Sequence, residues 1–82
     1  MISVHVKLFA AVKDIVGTDA VSLTVDDRAQ VSAAFEKLAE ANPLLKRWKG
    51  YVRFAVNRAY VQPDHPLRNG DVVAIIPPVS GG

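Results

Sequence analysis

The chain contains no cysteine. That absence excludes a disulfide framework, a thiolate nucleophile and a thiolate metal site, so any sulfur chemistry has to use another handle. Long apolar runs are missing too. No stretch approaches the roughly 20 residues of a membrane span, and Met1 leads straight into alternating residues rather than a signal peptide. Histidine is confined to His5 and His65, and a metal site built on them would need carboxylates gathered from distant loops. Gly17, Gly50 and Gly70 stand alone and none opens a basic helix N-terminus, so no phosphate-cradling loop is present. Charge of one sign is not in large excess, the formal net charge being +2. Lys46, Arg47, Lys49, Arg53, Arg58 and Arg68 read as solvated side chains, and neither nucleic acid nor a membrane is expected as a partner. Asp14, Asp19, Asp26 and Asp27 fall at turns and a helix start, where capping and solvation explain them better than acid/base pairing.

What remains, 50% apolar and 22% charged residues in 82 positions, is the composition of one small globular domain. It is expected in the cytoplasm. Ile2, Val4, Val6 and Leu8 alternate with Ser3, His5, Lys7 and Phe9, which predicts a half-buried strand with Phe9 on its outer face. "AAVKDIV" predicts a short helical turn, Gly17-Thr18-Asp19 a reversal, and "AVSLTV" a second strand, together an opening hairpin. From Asp27 the period becomes helical, through Val31, Ala34, Phe35, Leu38 and Ala39. Asp27 and Gln30 are placed as a capping box, and Asn42-Pro43 ends the helix. "LLKRWKGY" suggests another helical turn that tucks Leu45 and Trp48 against the core. "VRFAV", Asn57-Arg58 and "AYV" form a second hairpin whose turn lacks its usual glycine. "VVAII" is the most apolar strand and belongs inside a sheet, beside the first strand. The order predicts an α+β domain of β-grasp type, a mixed sheet with one main helix across it, over residues 1–77.

Residues 78–82 then form an extended C-terminal tail. Pro77 and Pro78 remove backbone donors and favour extended geometry, with little contribution to the core. Val79, Ser80, Gly81 and Gly82 follow; a tail from Pro77 onward reaches about 20 Å. Glycines present no side chain to block a narrow channel. A terminal carboxylate, with an ordinary pKa of about 3.5, is ionised at neutral pH and can attack the α-phosphorus of ATP. The acyl adenylate so formed exchanges with sulfur to give a thiocarboxylate, or with an amine to give an amide. A frayed end without function is the plain alternative.

"KLFAAVKDIVGTD", "FAVN", "DHPLRNGDVVA" and above all "PPVSGG" resemble the MoaD/ThiS family of ubiquitin-like sulfur carriers, in particular the MoaD-type small subunits of molybdopterin synthase. The likeness spans essentially the whole chain, with Gln30 departing from the family's better N-cap and Arg58 from a small turn residue. It implies that an E1-like enzyme, using ATP, adenylates Gly82, which then becomes a thiocarboxylate. It further implies that the tail enters the synthase large subunit and gives sulfur to a cyclic pyranopterin monophosphate, in a heterotetramer of two large and two small subunits. No cofactor or metal is bound by the small subunit in such a scheme, and the chain is not catalytic alone. Phe9, Tyr60 and Ile76 are implied as the partner interface, the alternative for Phe9 being a cap on the core. Sulfur carriage for thiamine or tRNA thiolation, and protein modification through Gly82, share the activation chemistry. A nucleic-acid-binding module would rest only on the basic residues.

Overall fold

The computed structural model describes residues 1–78, so the expectations placed on Val79, Ser80, Gly81 and Gly82 lie outside the described residues. Five strands form one sheet: β1 (Ile2–Leu8), β2 (Ala20–Val25), β3 (Arg53–Val56), β4 (Ala59–Val61) and β5 (Val72–Ile76). Two α-helices, α1 (Ala10–Val16) and α2 (Val31–Ala41), and a 3-10 helix at Pro43–Trp48 complete it. The strand order is β2-β1-β5-β3-β4. β5 runs parallel to β1, with Leu8 opposite Ile75, and antiparallel to β3, with Phe54 opposite Ile75. This is the ubiquitin-like β-grasp fold, with the most apolar strand at the centre where no backbone edge is left unpaired.

One sheet face is buried. Val4, Val6 and Leu8 from β1, Val73 and Ile75 from β5, and Phe54 and Val56 from β3 pack with Val31, Ala34, Phe35, Leu38 and Ala39 of α2. Phe35 and Phe54 meet edge to face at 6.0 Å, an arrangement aromatic quadrupoles favour. Leu45 of the 3-10 helix is fully buried and Trp48 packs against the same core.

Three local expectations are corrected. The capping box does not form: α2 starts after Gln30, whose side chain makes no cap bond, and Asp27 pairs instead with the Met1 ammonium. That bond and the carboxylate's charge hold the ammonium's pKa above its ordinary value. The first amides of α2 are satisfied by a distant loop, Val31 N–H donating to the His65 carbonyl and Ser32 N–H to that of Pro63, both at 2.9 Å. Phe9 is not in β1 but is the N-cap of α1, its backbone still extended at φ −132°, and Ala10 behind it turns the chain at φ +49°. Pro77 is buried, so its ring contributes packing beyond ending the strand; Pro78 is exposed.

The β3–β4 turn has both central residues at positive φ, Asn57 at 50° and Arg58 at 75°, the geometry of a type I′ turn. Asn57 clamps this turn to the start of β5. Its Nδ2 donates to Asp71 Oδ1 at 2.9 Å, and its Oδ1 accepts from Val72 N–H at 3.0 Å.

Candidate functional site: the sheet face at the root of the tail

Pairing fixes what lies on the face of the sheet opposite α2. Lys7 stands beside Ala74, Ala74 beside Ala55, and Ala55 beside Tyr60, so these four form one row across β1, β5, β3 and β4. The next row begins with Phe9, which follows Leu8 into the register of Ile76, and continues to Arg53, the partner of Ile76 on β3. Phe9 and Ile76 are therefore neighbours at the point where the chain leaves the sheet. Tyr60 lies two strands from Ile76, across a shallow floor of alanines. Ile76 is half-buried, while Phe9 and Tyr60 are 45% and 69% exposed. Aromatic residues left this open flank an apolar band suited to contact with another surface.

Basic residues rim the band. Lys7, Phe9, Ala10, Lys13 and Asp19 line a depression of about 420 Å³, and Arg53 stands beside Ile76. None of Lys7, Lys13 and Arg53 forms an ion pair among the described residues. A partner with carboxylates around an apolar centre complements this arrangement.

On the other side of the tail root is a feature the sequence reading missed. Ile15, Leu44, Arg47, Trp48, Tyr51 and Pro78 line a groove of about 460 Å³, with Leu44 57% and Tyr51 67% exposed. The signal was present in "PLLKRWKGY": once Leu45 and Trp48, three apart on one side of a 3-10 helix, are assigned to the core, Leu44 and Tyr51 are left without cover. The tail root thus has apolar surface on both sides, and Pro78 belongs to one of them.

Chemistry within the described body is sparse. No group of three or more His, Asp or Glu side chains able to hold a metal occurs among the described residues. His5 lies on the open face with its Nδ1 3.4 Å from Ser22 Oγ, and His65 sits in the loop that caps α2. No described helix is long and apolar enough to cross a membrane. The site is an exposed, partly apolar surface at the point where the chain leaves β5. Gly82 and the three residues before it, the predicted chemical end, lie outside the described residues.

A model of the ThiS family matches residues 6–82. The molybdopterin synthase sulfur carrier subunit of Escherichia coli (strain K12) is 39% identical, over 96% of this chain and 99% of its own. The crystal structure of H. volcanii small archaeal modifier protein 1 matches with a TM-score of 0.87 at 28% identity, covering 96% of this chain and 100% of that one. A chain in the protein–protein complex of subunits 1 and 2 of molybdopterin-converting factor from Helicobacter pylori matches with a TM-score of 0.67 at 26% identity, covering 99% and 100%.

Proposed function

The chain belongs to the ThiS family, and from that membership we propose that it is the sulfur-carrying small subunit of a molybdopterin synthase. The observation that carries the proposal is the near full-length likeness to a molybdopterin synthase sulfur carrier subunit, with the family match running through Pro77-Pro78-Val79-Ser80-Gly81-Gly82.

In this reading an E1-like enzyme binds the open sheet face and takes the tail into its ATP site. The Gly82 carboxylate attacks the α-phosphorus of ATP and pyrophosphate leaves. A sulfur nucleophile then attacks the acyl carbon and AMP leaves, giving the thiocarboxylate. The lack of cysteine suits this route, because sulfur travels on the carboxyl carbon. The loaded carrier next docks on a large subunit, through Phe9, Tyr60 and Ile76, and its sulfur passes to a cyclic pyranopterin monophosphate. Residues that hold the pterin belong to the large subunit, so the small one is a co-substrate of a heterotetramer, two of each, in the cytoplasm. The complex of subunits 1 and 2 seen for the Helicobacter pylori relative supports a partner of this kind.

A second reading, attachment of Gly82 to lysines of other proteins, is favoured by the likeness to a small archaeal modifier protein. The two are separated by one experiment. With activating enzyme, ATP and a sulfur donor, intact mass should show one oxygen of the chain replaced by sulfur, and the loaded chain should convert the pterin precursor when a synthase large subunit is added. Deletion of Gly82 should abolish both. Sulfuration of the truncated chain would remove the proposal, and lysine adducts without pterin conversion would replace it with the second reading.

A further inference from the structure

The sheet has two edges, and they are treated differently. β4 is only three residues long, whereas β2 has six, Ala20–Val25, with no charge and no proline among them. Short length, lysine and proline are the usual devices that stop an edge from pairing, and within β2 none is used.

Which of its backbone groups face outward follows from the pairing. Leu8 N–H donates to the Asp19 carbonyl at 2.9 Å, so in an antiparallel ladder every second residue from Asp19 bonds to β1. Val21, Leu23 and Val25 are therefore turned toward β1, and Ala20, Ser22 and Thr24 present their N–H and C=O groups away from the sheet. Two side-chain bonds agree: Thr18 Oγ1 donates to the Ala20 carbonyl at 3.3 Å, and Lys37 Nζ of α2 donates to that of Thr24. Between them the Ser22 amide and carbonyl and the Thr24 amide face outward. Beside this edge, toward α2, runs a groove of about 510 Å³ that includes Thr24, Val25, Arg28, Ala33 and Lys37. Val21 and Leu23 are half-buried along its line.

The charges at the Thr24 end are unequal in their engagement. Asp27 is held by the Met1 ammonium, and Asp26 Oδ1 accepts from the Arg28 amide. Lys37 and Arg28 form no ion pair among the described residues, and Lys37 rests on a neutral carbonyl.

We propose that the β2 edge is a strand-addition site for an extended segment of a partner protein, apolar at alternate residues and acidic where it passes Thr24. Backbone bonds to Ser22 and Thr24 supply the pairing, Val21 and Leu23 with the groove receive the alternate apolar side chains, and Lys37 turns from the Thr24 carbonyl to the incoming carboxylate. β1 separates this edge from β5, and its Thr24 end lies at the far end of the sheet from Ile76, so a bound strand leaves the tail root free. The site does not depend on the sulfur-carrier reading.

The test is amide NMR of the whole chain titrated with a short peptide of alternating valine and threonine closed by glutamates. Expected are shifts confined to β2 and the facing side of α2, with slowed hydrogen exchange at Ser22 and Thr24. The same peptide closed by lysines should bind at least about tenfold more weakly, and Lys37→Glu should reverse that preference. Ser22→Pro removes an outward donor without touching the β1 ladder, so it should abolish binding while Ser22→Ala does not. Should Ser22→Pro fail to fold, N-methylation of alternate peptide amides makes the same cut from the other side. Shifts elsewhere, equal affinity for both peptides, or β2 shifts that grow with protein concentration in the absence of peptide would overturn the proposal, the last because a second copy would hold the edge.

Discussion

Tyr60 and Phe9 differ in how much of each is already spoken for by the fold, and that difference makes a forecast. An aromatic side chain carries about 200 Å². At 69% exposure Tyr60 keeps about 140 Å² for a partner and has about 60 Å² covered by its own domain. At ~25 cal/mol per Å², removing the covered part costs the fold about 1.5 kcal/mol, or nearer 1 once the compactness of the unfolded chain is counted. The uncovered part offers a ceiling of about 3.5 kcal/mol on docking, and ordering costs reduce what is realised to about half. Tyr60→Thr, which keeps β propensity in the short edge strand, should therefore weaken binding of a synthase large subunit by about ten- to thirtyfold. It should lower Tm by only about 4–8 °C. Phe9, at 45% exposure, divides its area about evenly, so Phe9→Ala should cost stability and binding alike. Calorimetric titration and thermal unfolding read the two quantities on the same samples. A Tyr60→Thr variant that loses more stability than binding would refute the interface assignment on the β4 side.

Arg58→Gly should stabilise the domain by about 0.5–1 kcal/mol, since a side chain at φ 75° costs ~1–2 kcal/mol and glycine's extra unfolded-state freedom returns part of it; urea unfolding checks this, and a loss of stability would mean that the arginine side chain matters more than its backbone. The turn lies at the Asp71 end of the sheet, so sulfuration of Gly82 should be unchanged in that variant. Replacing Pro78 by alanine should leave unfolding within about 0.5 kcal/mol of the parent, whereas Pro77→Ala, which opens a buried position, should cost about 1 kcal/mol or more. With both changed, affinity for the large subunit should fall about tenfold through the freer tail, and equal affinity would show that the prolines do not preorganise it.

Strand alternation in β1 and the unbroken apolar run of β5 were legible because each depends on residues within a few positions of one another. The start of α2 was not. Its first amides are capped by carbonyls of Pro63 and His65, more than thirty residues away, so no local motif announces the boundary and the Asp27–Gln30 spacing misleads. Pro77 was misjudged for a similar reason: proline's effect on hydrogen bonding is local, but its burial depends on what packs around the end of the central strand. Phe9 was placed on the correct side of the sheet although it stands outside β1, because the extended backbone of the N-cap carries the alternation one residue further. Gly82 lies outside the described residues, and its assignment rests on the "PPVSGG" resemblance together with the chemistry open to a glycine carboxylate.

β5 joins two hairpins that otherwise do not meet, β1 with β2 on one side and β3 with β4 on the other. A pull on the chain beyond Pro78 is delivered along the axis of that strand. It cannot peel the sheet from an edge, because β1 and β3 grip β5 from both sides and their ladders must slip together under shear. Any partner that holds the chain beyond Pro78 therefore loads a strand paired on both sides, four residues to β1 and four to β3. Force that would unravel an edge strand one bond at a time is here spread over both ladders of β5 at once.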